Sequence, residues 1–146
     1  FFRLSHETKP TMTEVFNPHT PITLPVCGFG AGRRVRIVGV CTGNRFHVNL
    51  NSASDTVFHL NPRFDEKCVV RNSTRYGIWQ KEERYSKGFP FVHGKTFTLD
   101  LVAQPGFIQV LLNGKLFTHF VERDDPHQIR SVKVEEGIQI HSITVS

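Results

Sequence analysis

The stretch Lys95–Phe120, KTFTLDLVAQPGFIQVLLNGKLFTHF, decides the fold class. Phe97, Leu99 and Leu101 alternate with Thr96, Thr98 and Asp100, the period of a strand with one apolar and one polar face. Pro105-Gly106 turns the chain. The runs FIQVLL and KLFTHF then flank Asn113-Gly114, a pair that tolerates positive φ at both turn positions and so predicts a tight hairpin.

The same signature recurs on both sides. Upstream, RRVRIVGV alternates, as do Phe46, Val48 and Leu50 within RFHVNL, and KCVVRN gives a further short strand. ITLPV reads as an edge segment, because Pro25 has no N–H for a ladder. Downstream, VERDDPHQI reads as a turn with one helical loop, and GIQIHSITV as the closing strand. No stretch of ten residues carries a helical apolar period. An all-β chain of many short strands predicts an antiparallel two-sheet β-sandwich. Residues 1–20 have two prolines and no periodicity and are expected to be an arm or linker, with the domain over 21–146.

Composition narrows the function. The chain has 146 residues, enough for one core, with 13 Phe and a net charge of +5. Residues 1–50 carry six Lys/Arg against two acids, and residues 51–146 carry twelve against eleven. The local surplus, RRVR at 33–36, alternates with Val35 and Ile37 as the wet face of a strand would. It is not the dense basic stripe of a nucleic-acid surface, so no nucleic-acid partner is expected. No apolar run reaches the ~20 residues of a membrane helix, so no membrane insertion is expected. The start, FFRLSHETKP, shows no signal peptide and no initiating Met, so a segment of a longer chain is expected. Cys27, Cys41 and Cys68 have no CxxC spacing and read as reduced thiols.

The chemistry-bearing stretch is Asp55–Arg84, DTVFHLNPRFDEKCVVRNSTRYGIWQKEER, which holds the only tryptophan, Trp79. At strand period His59, Asn61 and Arg63 share one face and Phe58 and Leu60 the other. Burying such a row would demand a partner for every group, so a solvated face awaiting a hydroxyl-rich ligand is expected. A sugar offers hydroxyls and one C–H face. His59, Asn61, Arg63, Asn72, Glu82 and Arg84 answer the hydroxyls, and Trp79 can answer the C–H face. Glu82 beside Arg63 or Arg84 would fix both side chains. Arg71 shares parity with apolar Val69 and is expected to snorkel out at an edge.

Blander readings stand beside these. His59 alone would be structural, and Trp79 alone would be core. Glu82-Glu83 could be a glycosidase pair, yet neighbours on a strand face opposite ways and cannot flank one glycosidic bond. The other seven histidines, His47 among them, lack metal-ligand spacing and read as surface or loop residues. Asn72-Ser73-Thr74 is a glycosylation sequon inside the polar row, which favours a chain kept out of the secretory lumen.

The motifs His59-Leu60-Asn61-Pro62-Arg63-Phe64, Val70-Arg71-Asn72, Trp79, Glu82-Glu83-Arg84 and Phe89-Pro90-Phe91 with Gly94 closely resemble the galectins. The resemblance spans about residues 21–146, including FTLDL and VLLNGKLFTHF. Its divergent loops resemble those of invertebrate-like members, including halves of tandem-repeat chains. It implies a jelly-roll sandwich and a lectin for β-galactosides of the lactose or N-acetyllactosamine type, with no calcium and no other cofactor. His59, Asn61 and Arg63 would then take the axial 4-hydroxyl. Asn72 and Glu82 would take the 6-hydroxyl, and Trp79 would stack on galactose. Arg63, Glu82 and Arg84 would reach the 3-hydroxyl of the adjoining sugar. Partners would be glycans on glycoproteins or glycolipids, engaged by a dimer or tandem chain. The location would be cytoplasmic, and extracellular without a signal peptide. Two departures stand out: Gln80 replaces the usual glycine after the tryptophan, and the loop after Arg63 is short. A galectin-like protein-interaction domain with reduced or lost sugar binding is the alternative.

Overall fold

The computed structural model describes residues 12–146. Eleven strands carry the fold: β1 (Thr13–Phe16), β2 (Ile22–Pro25), β3 (Arg34–Asn51), β4 (Thr56–Arg63), β5 (Cys68–Asn72), β6 (Thr74–Arg75), β7 (Ile78–Trp79), β8 (Phe97–Gln104), β9 (Phe107–Leu112), β10 (Lys115–Val121) and β11 (Ser131–Val145). A single 3-10 turn, Pro126–Gln128, supplies the helical loop expected in VERDDPHQI. There is no α-helix among the described residues.

Two long strands make the sandwich. RRVRIVGV and RFHVNL, read as separate strands, are one 18-residue strand, β3, antiparallel to β11 along most of its length. The first half of β3 pairs with β8, and its second half pairs with β4. One layer is therefore β1, the C-terminal half of β11, the N-terminal half of β3, β8, β9 and β10. The other is β2 with the remaining halves of β11 and β3, then β4 and β5. Both long strands bend where Gly43 crosses Gly137. A Cβ on Gly137 would lie 2.6 Å from Arg45 O and 2.7 Å from Gly43 Cα, so only glycine permits the approach. Register shifts at Glu136/Ile138 and Ile140/Ser142 add the bulges that turn β11 from one layer to the other.

Phenylalanine fills the space between the layers. Phe46 and Phe97 stack at 5.8 Å between centroids, and Phe58 meets Phe120 at 4.8 Å. Phe46, Phe58, Phe97 and Phe120 are all buried. Truncating any one to Ala would remove about 3–5 kcal/mol. The Asn113-Gly114 hairpin forms as expected, with φ of 52° and 81°.

The structure differs from the sequence reading at three places outside the site. Thr13–Phe16, placed in the expected arm, is strand β1 in register with Ser142–Val145. The first eleven residues lie outside the described part. The RRVR cations are not simply wet: buried Asp100 accepts from Arg36 at 2.8 and 3.1 Å and lies 3.3 Å from Arg34. Arg71 does not snorkel. It is 4% exposed, because the segment after Trp79 pairs with β5 through an Arg71–Glu83 bridge and covers it.

Candidate functional site

The groove lies on the outer face of the β2–β5 layer, with a volume of about 520 Å³. Strand parity delivers its floor. Asn49 on β3, His59 on β4 and Asn72 on β5 are cross-strand partners and present side chains to the same side. His59, Asn61, Arg63, Asn72, Trp79 and Glu82 line the groove, as six of the seven expected residues should. Arg84 does not line it but anchors it through carboxylates. A larger depression, about 630 Å³ around Gly30, Gln104 and Glu122–His127, holds none of the seven.

The floor is drier and more fully bonded than a solvated row. His59 is 6% exposed, and Asn61 and Asn72 are buried. Asn61 Nδ2 donates to Phe46 O at 2.8 Å, and Asn61 Oδ1 accepts from Arg63 Nε at 2.8 Å. Asn72 Nδ2 donates to Gln80 O at 3.0 Å, while its Oδ1 accepts from Ser73 N and from Arg123 Nη1. Each amide is thus held in one orientation before any ligand arrives. With that nitrogen buried and bonded, the sequon is closed to modification in the folded chain.

His59 has a defined proton. Its Nδ1 lies 2.6 Å from Asn49 Oδ1, so with that oxygen as acceptor Nδ1 carries the hydrogen and Nε2 is a free acceptor. Burial, then the neighbouring His47 and Arg63, push its pKa down to about 4. The ring therefore stays neutral at physiological pH and can accept from a hydroxyl.

The walls are charged and cross-linked. Glu66 binds three arginines: Arg84 Nη1 at 2.6 Å, Arg45 Nη2 at 3.0 Å and Arg63 Nη1 at 3.3 Å. The Arg84 hydrogen bond, above all, holds its carboxyl below the usual range. Glu82 accepts from Arg84 Nε at 2.8 Å and lies 3.6 Å from Arg63 Nη2. Glu83 turns away from Glu82 and meets Arg123 at 3.2 Å. Among the described residues no cluster of three or more His, Cys, Asp or Glu could hold a metal ion.

Trp79 forms the end wall at 52% exposure, its ring centroid 4.6 Å from that of His59. The β6–β7 hairpin that carries it is pinned by Asp55, which accepts from Gly77 N at 2.8 Å, Thr74 Oγ1 at 2.9 Å and Tyr76 N at 3.2 Å. The Gly77 bond is the chief reason its carboxyl sits below the usual range. Gln80 also lines the groove, its Nε2 donating to Ile78 O at 2.9 Å.

Several site residues escaped the sequence reading. Arg45 and His47 line the groove, and Glu66 and Arg123 brace it. His47 is not a mere surface residue, since its ring meets His59 edge-on at 5.2 Å and its Nε2 pairs with Glu136 at 2.6 Å. Arg45, His47 and Asn49 are the odd-numbered set of RFHVNL, opposite the apolar Phe46, Val48 and Leu50. Parity alone could have placed them on the site face. Nothing local marks Arg123, which lies 51 residues from Asn72.

A sequence-family model described as galactoside-binding lectin matches residues 19–145. A 32 kDa beta-galactoside-binding lectin of Caenorhabditis elegans is 37% identical over 121 residues, covering 81% of this chain and 43% of that protein. Galectin-7 of Mus musculus is 34% identical over 133 residues, covering 87% of this chain and 96% of that protein. The crystal structure of Caenorhabditis elegans galectin LEC-6 superposes with a TM-score of 0.87 at 44% identity, covering 91% of this chain and 95% of that one. This chain spans less than half the length of the Caenorhabditis elegans lectin and of a Haemonchus contortus counterpart, 42% in the latter case.

Proposed function

The chain belongs to the galactoside-binding lectin family, and on that premise we propose that it binds β-galactosides of the lactose or N-acetyllactosamine type, without calcium, through the β3–β5 groove. The observation that carries the reading is the join of a pre-bonded polar floor to a half-exposed indole at one end. A galactose ring with its axial 4-hydroxyl down meets the His59 Nε2 acceptor and the Arg63 donor, with Asn61 between them. Its apolar face lies against Trp79. Glu82 and Arg84, already fixed to each other, remain for the adjoining sugar.

Asn72 is the residue whose implied role changes most. Its Oδ1 is taken by Ser73 N and Arg123 and one Nδ2–H by Gln80 O, which narrows its role to the second N–H, beside Glu82, for the 6-hydroxyl. The glycosidase reading loses on geometry: Glu82 is tied to Arg84 and Glu83 is turned to Arg123. No calcium is required, because protein groups already fix the orientations a cation would otherwise impose. A shallow groove binds one disaccharide weakly, so a dimer or tandem chain would supply avidity.

Calorimetric titration with lactose tests the reading, with and without EDTA. Saturable binding in the millimolar range or tighter, unchanged by EDTA, is expected. Trp79→Ala should abolish retention on a lactose column while leaving the unfolding transition in place. A mutant retained as well as the wild type removes the indole from the site. No heat with lactose at all favours the protein-interaction alternative.

A further inference from the structure

On the flank of the sandwich, between the segment at residues 83–87 and strand β10, a second cleft of about 510 Å³ opens away from the groove. Its lining includes Arg71, Lys87, Tyr85, Phe117 and His119. Arg71 is the unusual member. On β5 it is the cross-strand partner of Leu60, so it faces inward, opposite to Asn72. Its Nη1 donates to Val69 O at 2.8 Å and its Nη2 to Tyr85 O at 2.7 Å. Its Nε is the one buried side-chain polar atom without a hydrogen-bond partner among the described residues.

Arg71 is 4% exposed, yet it forms no ion pair among the described residues. Carbonyl dipoles satisfy two of its edges but do not neutralise its charge, and an uncompensated buried cation is strongly unfavourable. Burial lowers its pKa from the ordinary arginine value, against the pull of Glu83. Glu83, the carboxylate in this cleft, is committed to Arg123 at 3.2 Å. Arg84, whose chain also borders the cleft, spends its guanidinium on Glu66 and Glu82 on the groove side. The cleft therefore counts a buried cation, Arg71, and a second cation, Lys87, among its lining residues.

We propose that this flank cleft is a second binding site, distinct from the polar groove, for a compact oxyanion such as a sulfate, phosphate or carboxylate group. The guanidinium provides the charge and Lys87 closes over the anion. Tyr85, 86% exposed, and Phe117 offer apolar contact to whatever body carries the anion. The cleft is larger than a bare ion needs, which suits an anion borne on an organic group.

The experiment titrates sodium sulfate into the isotope-labelled chain at constant ionic strength set with sodium chloride. Amide shifts of Tyr85, Lys87, Thr118 and His119 are followed. A parallel titration with sodium acetate separates a tetrahedral from a planar anion. Saturable shifts confined to these residues are expected with at least one anion, at a millimolar dissociation constant. Arg71→Met should weaken binding by about tenfold or more and Lys87→Ala by a few fold, with lactose binding unchanged in both. Should Arg71→Met fail to fold, Lys87→Ala decides alone. Shifts that track chloride equally, or variants that bind like the wild type, overturn the proposal.

Discussion

Arg63 and Arg71 stand on paired strands of one layer, β4 and β5, and point to opposite faces. Both are largely hidden from water, Arg63 with a side-chain exposure of 14%. Their surroundings differ. Arg63 has Asn61 on its Nε and Glu66 and Glu82 within 3.3 and 3.6 Å. Arg71 has two carbonyls and an unpartnered Nε. The comparison separates two uses of a desolvated arginine. One whose charge is matched by fixed carboxylates is a positioned hydrogen-bond donor, ready for a neutral ligand. One whose charge is unmatched favours an anion, or else its removal.

Matched substitutions test that contrast most sharply. Arg63→Met deprives Asn61 of its donor and frees Glu82 within the groove, so lactose affinity should fall by about 3 kcal/mol, more than a hundredfold. Arg71→Met should leave lactose affinity alone and leave stability unchanged or raised by about 1 kcal/mol, since an apolar side chain suits that site better than an unpaired charge. Calorimetry with lactose and urea unfolding on both variants provide the readout. Equal losses of lactose affinity would mean that the two faces of the layer are coupled.

The next effect is a pH dependence that only the groove face should show. Folded His59 titrates at about 4 and the unfolded residue near 6.5. Above pH 6.5 neither state carries the proton and the difference costs nothing. As pH falls below 6.5 the unfolded chain gains a proton that the folded chain refuses, so stability drops until the folded ring titrates near 4. Between about pH 7.5 and pH 5 the loss should be about 2 kcal/mol by urea unfolding. His59→Asn should flatten that slope. A wild-type profile flat over this range would mean that folded His59 titrates like the unfolded residue, and that burial does not hold the ring neutral.

Much of this was legible from alternation alone. The apolar sets of FTLDL, FIQVLL and RFHVNL name the core faces, and Asn113-Gly114 names a hairpin. The row His59, Asn61, Arg63 is a single face for the same reason. What parity could not show is where a strand bends and what covers an edge. The merger of two expected strands into β3 depends on Gly43 meeting Gly137, 94 positions on, and no local pattern announces a close backbone approach. Parity leaves Arg71 on an open edge, whereas the Glu83–Tyr85 segment returns to close it. The burial of His59 and Asn72 follows from Trp79 and Gln80 lying over them, again a tertiary event.

The smallest of these effects concerns how the paired arginine is held. Glu66 is the shared partner of Arg45, Arg63 and Arg84, yet it touches nothing on the groove floor. If pairing is what makes Arg63 a positioned donor, Glu66→Gln should preserve shape while loosening three guanidinium groups at once. Exposed pairs add little to stability, so the unfolding midpoint should barely move. Lactose affinity should nevertheless fall about five- to tenfold, because Arg63 and Arg84 must then be ordered on binding. The loss should also lessen the salt dependence of lactose binding, since screening of the same pairs is what added salt does. An affinity unchanged by Glu66→Gln would place the whole positioning role on Glu82 and Asn61, and the matched charge of Arg63 would then be a matter of folding rather than recognition.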